Sequence, residues 1–93
     1  MYSLRYTKQY ERDLKLVLRQ GRDRKKIDEV ISLLRTGEKL PDKYQDHSLN
    51  DSKHYKNKRD CHIQSDWILI YEIKKDELVL ELTRTGSHSD LFR

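Results

Sequence analysis

The apolar residues of this chain change their spacing once, and that change does most to limit the folds it can adopt. Up to Leu34 they recur at helical intervals, as Tyr10, Leu14, Val17 and Leu18 and then Ile27, Val30, Ile31 and Leu34. From Lys58 the period becomes two, as a pleated strand requires, because successive side chains point to opposite faces. Helices grouped ahead of strands make an α+β chain. The expected order is a short N-terminal strand, an antiparallel helical hairpin, then a mostly antiparallel three-strand meander completing one sheet.

Local signals place the boundaries. Tyr2-Ser3-Leu4-Arg5-Tyr6 alternates as a short strand, and Thr7 is suited to cap the first helix. Gly21 stops that helix, Asp23 caps the second and Gly37 ends it. The short link predicts antiparallel packing, with Arg12, Lys15, Arg19, Arg22 and Lys25 towards solvent. Residues 38–57 are polar, hold the only proline, Pro41, and read as a loop of a length that is often functional. Beyond it, Lys58, Asp60 and His62 share one strand face and Arg59, Cys61 and Ile63 the other. Trp67-Ile68-Leu69-Ile70-Tyr71 is apolar throughout, as expected of a central strand covered on both sides. Lys74 to Glu77 reverses the chain, and Leu78, Leu80 and Leu82 alternate on the last strand. The tail from Thr85 to Arg93 reads as too polar for a strand and too short for a helix of any length.

With 93 residues, 39% of them charged and 34% hydrophobic, the chain is expected to form one domain over residues 1–93 with no deep pocket. No apolar run reaches the roughly 18–20 residues that cross a bilayer, and the first residues lack a signal-peptide core. A soluble, cytoplasmic protein is expected, and the single Cys61 suits a reducing compartment. The net charge of +4 is uneven: residues 1–45 carry 12 Lys/Arg against 7 Asp/Glu, and residues 46–93 carry 8 against 9. A basic first half fits either a solvated helix surface or a phosphate-rich partner.

All four histidines fall after residue 46. His47 and His54 lie in the loop, His62 on a strand and His88 in the tail. With Asp60, Asp66 and Arg84 they make an inventory for acid–base work on a phosphodiester: one group takes a proton from the attacking oxygen, another protonates the leaving oxygen, and a cation offsets charge on phosphorus oxygens. Each has a plain alternative. Asp60 can pair with Lys58 or Lys56, Asp66 can serve a turn, Trp67 can be core, and Phe92 either packs on the sheet edge or stacks a base. Zinc is disfavoured because adjacent Cys61 and His62 point to opposite strand faces and no Cys-x-x-Cys or His-Glu-x-x-His element exists. No glycine-rich phosphate loop is present, so no nucleotide cofactor is expected, and none of any other kind is.

Four segments, Asp46-His47-Ser48-Leu49, Arg59-Asp60-Cys61-His62-Ile63, Asp66-Trp67-Ile68-Leu69-Ile70-Tyr71 and Arg84-Thr85-Gly86-Ser87-His88-Ser89-Asp90-Leu91-Phe92, resemble in order and spacing the YafQ branch of RelE/ParE-type bacterial toxins. The resemblance extends over the whole chain and implies a RelE-like fold. It also implies a ribosome-dependent messenger-RNA endonuclease, metal-free, in which the ribose 2′-hydroxyl attacks its own phosphate. His47, His62, Asp66 and His88 match the family's catalytic set, with His88 as general acid. By the same resemblance Arg84 neutralises the phosphate, Phe92 positions a base, and Asp60 and Trp67 support the site. Arg12, Lys15, Arg19, Arg22 and Lys25 would meet the ribosome or RNA backbone. The implied partners are the ribosome, messenger RNA and a cognate antitoxin, expected to be a DNA-binding ribbon-helix-helix protein with a flexible C-terminal segment. The toxin would be monomeric when free and hetero-oligomeric with antitoxin. Two departures stand out: the Asn50 to Lys58 link lacks the family's Gly and Trp, and Ser65 replaces the proline usual before Asp-Trp. The competing readings are a ParE-type gyrase inhibitor, against which the histidines argue, and an RNA-binding module, whose aromatic strand signature is missing.

Overall fold

The computed structural model describes residues 1–50 and 52–92, so Asp51 of the long link and Arg93 of the tail lie outside the described residues. Strand β1 (Ser3–Tyr6) leads into helices α1 (Lys8–Arg19) and α2 (Arg24–Arg35). Strands β2 (His47–Ser48), β3 (Arg59–Gln64), β4 (Trp67–Lys74) and β5 (Val79–Gly86) follow, and a one-turn helix α3 (His88–Leu91) ends the chain. Both expected helix caps form. The Thr7 hydroxyl oxygen accepts the Tyr10 amide and the Asp23 carboxylate the Lys25 amide, each at 2.9 Å, which satisfies first-turn N–H groups that have no helical carbonyl. Gly21 and Gly37 close the helices with φ of 95° and 84°, where a Cβ would be strained.

The strand order is β1-β5-β4-β3-β2, with β1 parallel to β5 and the other pairs antiparallel. β1 covers β5 only as far as Leu82. Beyond that point the start of α1 takes over the edge: the Thr7 hydroxyl donates to the Thr83 carbonyl at 2.7 Å, and Asp13 accepts the Thr85 amide at 3.2 Å. A helix carboxylate thus satisfies a buried strand amide that no neighbouring strand reaches.

The sheet separates two apolar clusters. On one face, Val17, Ile27, Val30 and Leu34 of the helices pack with Trp67, Leu69, Tyr71, Leu80 and Leu82. On the other, Ile68 and Ile70 are covered by Tyr55, Leu91 and partly buried Leu49. β4 is therefore buried on both sides, as its apolar run requires. Asp60 and His62 pair with Ile70 and Ile68, and directly opposed residues share a face, so both stand on the face without helices. Among the described residues no helix is long and apolar enough to cross a membrane.

Three expectations need correction. The 38–57 link is not structureless: it holds a 3₁₀ turn at Asp42–Tyr44 and strand β2, so His47 is a strand residue. Buried Leu40, Tyr44 and Tyr55 anchor it, spaced too irregularly to display a period. Leu78 is not in the last strand; it occupies the turn with φ of 54° and is 62% exposed, while Leu80 and Leu82 are buried as expected. Finally, Thr85 and Gly86 extend β5, and residues 88–91 do form a helical turn. Ser87 caps it by accepting the Asp90 amide, and burial of Leu91 holds it against the sheet, which compensates for a helix too short to persist alone.

Candidate active site

β2, β3 and α3 bring three imidazoles into a row. The ring centroids of His47 and His62 are 6.4 Å apart, those of His62 and His88 5.2 Å, and Phe92 continues the row 5.9 Å beyond His88. Phe92 also meets Tyr55 edge to face at 5.6 Å and keeps 38% of its surface exposed. His47 reaches the row because register pairs it with Asp60 across the β2–β3 ladder. His88 reaches it because the turn after β5 lies beside the β3–β4 turn, where the Asp66 carboxylate accepts the His88 amide at 3.1 Å.

A carboxylate stands at each end. His47 Nδ1 lies 2.8 Å from the Gln45 carbonyl, to which it must donate, and its Nε2 lies 3.0 Å from Asp60 Oδ1 in an ion-pair contact whose alignment falls short of a hydrogen bond. Burial pushes the Asp60 carboxyl above its ordinary pKa, against the opposing pull of the three histidines. At the other end, the His88 amide holds the exposed Asp66 carboxyl below its ordinary range, and His88 Nδ1 lies 3.5 Å from the same oxygen. Between them the His62 ring has no protein hydrogen bond among the described residues.

The other expected site residues divide. Arg84 grips Asp13 through Nε and Nη2, both at 3.0 Å, a pairing that raises its pKa further. This ion pair ties β5 to α1, and two of the guanidinium nitrogens expected to face a phosphate are committed to it. Trp67 is wholly buried, its indole donating to the Thr85 hydroxyl at 2.9 Å, so it is a core residue. Arg22 is not a free surface cation: it donates to the Asp66 carbonyl at 3.2 Å and lies 5.7 Å from the Trp67 ring centroid, which steadies the β3–β4 turn. Arg12, Lys15, Arg19 and Lys25 belong to helices on the opposite face of the sheet from the histidines. His54 lies in the link, with its ring 6.4 Å from Tyr55.

Several residues that hold these side chains in place had no local signal. Asp13 is one helix residue among many charged ones. Tyr55 pins α3 by donating to the Leu91 carbonyl at 2.8 Å. Asp46, next to His47, accepts a hydrogen bond from the Tyr71 hydroxyl and pairs with Arg59 at 3.2 Å. Burial first, and then Asp46, push the Tyr71 hydroxyl well above its ordinary pKa. Only the position of Asp46 within the Asp46-His47-Ser48-Leu49 segment could have pointed to it.

The family model described as a bacterial toxin of type II toxin-antitoxin system, YafQ, matches residues 2–93. The mRNA interferase toxin YafQ of Escherichia coli strain K12 is 38% identical over 90 residues, covering 96% of this chain and 94% of the relative. A crystal structure of a metal-bound toxin from Helicobacter pylori matches with a TM-score of 0.90 at 40% identity, over 99% of this chain and 100% of that one. A chain of the E. coli DinJ-YafQ complex matches with a TM-score of 0.87 at 34% identity, over 100% of both.

Proposed function

The chain belongs to the YafQ family of bacterial type II toxins, and from that premise we propose the chemistry by which its site cuts messenger RNA. As in the family, the toxin is an mRNA interferase, an endoribonuclease, held by a cognate antitoxin. His62, whose ring is unengaged, takes the proton of a ribose 2′-hydroxyl as that oxygen attacks the adjacent phosphorus. His88, carried as imidazolium beside the Asp66 carboxylate, gives its proton to the departing 5′-oxygen. The bond to that oxygen breaks, leaving a 2′,3′-cyclic phosphate and a 5′-hydroxyl end. His47, protonated against Asp60, supplies the cation that the nonbridging oxygens need, a task for which Arg84 has fewer donors to spare.

The observation that carries this reading is the row of three imidazoles with a carboxylate at each end. Phe92 extends the row as a surface on which a base can stack. On this reading the reaction needs no metal, since acid, base and cation are all side chains. A metal on these imidazoles would occupy the lone pairs that proton transfer uses. The ribosome supplies what a shallow site cannot, by holding the message so that the 2′-oxygen, phosphorus and leaving oxygen align, an effect that can contribute about 7–11 kcal/mol.

The test is cleavage of ribosome-bound and naked message by purified toxin, with both new ends identified. Rapid cleavage on the ribosome only, giving cyclic phosphate ends and unaffected by removal of transition metals, is the expected result. Activity that appears only on adding zinc, copper or nickel would overturn the metal-free reaction, and equal rates on both substrates would overturn the ribosome requirement.

A further inference from the structure

Among the described residues β2 pairs with β3 only at Asp60 and Arg59, and from His62 to Gln64 the outer edge of β3 has no described strand beside it. A groove of about 350 Å³ lies there, between β3, the start of the long link and α2, at the lower end of the volumes that hold small ligands. We infer that this groove, lined by His62, Lys26, Lys43, Gln45, Gln64 and Ser65, receives the nucleotide on the 5′ side of the cut. That is the nucleotide whose 2′-hydroxyl attacks. The inference rests on the acid–base reading above and names a subsite for the same reaction.

Three observations support it. First, His62 lines the groove and belongs to the imidazole row, so the groove adjoins the row at the edge of β3 and runs from there towards α2 on the other face of the sheet. Second, the groove has unspent recognition groups: among the described residues Lys26, Gln45 and Ser65 make no side-chain bond to protein, and the Lys43 ammonium lies 5.0 Å from the Tyr44 ring centroid. Two ammonium groups against the single carboxylate of Glu29 favour a phosphate. The Gln45 amide and the Ser65 hydroxyl can read base edges, as proteins read single-stranded RNA, while the Gln64 oxygen already accepts from Arg22 at 3.5 Å. Third, direction follows from the chemistry. The leaving 5′-oxygen belongs to the downstream nucleotide, and His88, which protonates it, is flanked by Phe92 on the β5 side. The upstream ribose must meet His62, and from there its base extends to the β3 side, into the groove.

Two experiments test this. In a titration of the purified protein with a nucleoside 3′-monophosphate, followed by NMR, the signals of Gln45, Gln64, Ser65 and Lys26 should shift. Lys26→Glu with Lys43→Glu should weaken that binding about tenfold. Shifts confined to residues 88–92, or affinity unchanged by the double substitution, would overturn the assignment. In cleavage of ribosome-bound messages that differ at one nucleotide, Ser65→Ala with Gln45→Asn should change the relative rates among the four 5′ nucleotides by about fivefold. Ratios among the 3′ nucleotides should hold. Asn is chosen because Gln45 has φ of 50°, a conformation Asn tolerates. Wild type that cuts no message would reject the acid–base reading itself; wild type that cuts, with the variant's 5′ ratios unchanged, would reject only the groove.

Discussion

On one face of the sheet two amphipathic helices cover Trp67, Leu69, Tyr71, Leu80 and Leu82; on the other, Ile68 and Ile70 pack with Tyr55, Leu49 and Leu91. The helix face is a continuous apolar interior. The opposite face has a small apolar floor, and the groups that hold its histidines are polar and individually weak: Asp66 on the His88 amide, Tyr55 on the Leu91 carbonyl, the Gln45 carbonyl on His47. Burial of polar chemistry is costly, so on the proposed function a face that presents imidazoles to RNA cannot also be the main source of stability. The helix face should therefore control whether the chain is folded, and the open face whether the folded chain cuts.

The largest expected effect tests the open face. His88→Ala should lower cleavage by about 10²–10⁴, while the half-exposed position leaves stability within about 0.5 kcal/mol. A soluble His88→Ala protein that arrests growth at wild-type expression would break the contrast.

On the helix face, Leu80→Ala removes a fully buried side chain and should cost about 2–5 kcal/mol in chemical denaturation. Cleavage per folded molecule should stay near wild type. If the folded fraction had lost its activity, the two faces would be coupled rather than separate.

Asp60→Asn sharpens the comparison because Asp60 is a buried charge on the open face. Its folded pKa is raised by burial, so the stability it contributes is present below the unfolded pKa and lost as pH rises through the folded one. Relative to wild type, the variant should be more stable at pH 7 than at pH 3. Cleavage should fall by about tenfold, because His47 loses its carboxylate partner. Denaturation at both pH values checks the sign, and an Asn variant with full activity would remove Asp60 from the mechanism.

The smallest effect concerns the pin on α3. Tyr55→Phe removes the hydroxyl that donates to the Leu91 carbonyl and should cost about 1 kcal/mol. Amide exchange should quicken in residues 88–92 before it does in β4. Uniform quickening would show that α3 opens only with the whole domain.

Much of the frame was legible before any coordinates. Thr7 and Asp23 cap the helices because their side chains act on amides two or three residues away, and Asp60 and His62 share a face because a strand alternates. The two-residue β2 and the four-residue α3 were not legible, since neither is long enough to display a period. Their positions depend on Tyr44, Tyr55 and Leu91 finding burial elsewhere in the fold. The site was legible as an inventory of histidines and carboxylates, but not as pairs.

What the sequence determined by itself was therefore the order of elements, their caps, the double burial of β4 and the residue types available for proton transfer. Each of these depends on contacts within about one helical turn or one strand repeat. The tertiary structure alone decided that Asp60 serves His47 and Asp66 serves His88, that Arg22 braces the turn at Asp66, and that Arg84 is held by Asp13 across a separation of 71 residues. Such pairings follow from sheet register and from where a helix crosses a strand edge, and a charge on a helix surface carries no local mark of the partner it will meet.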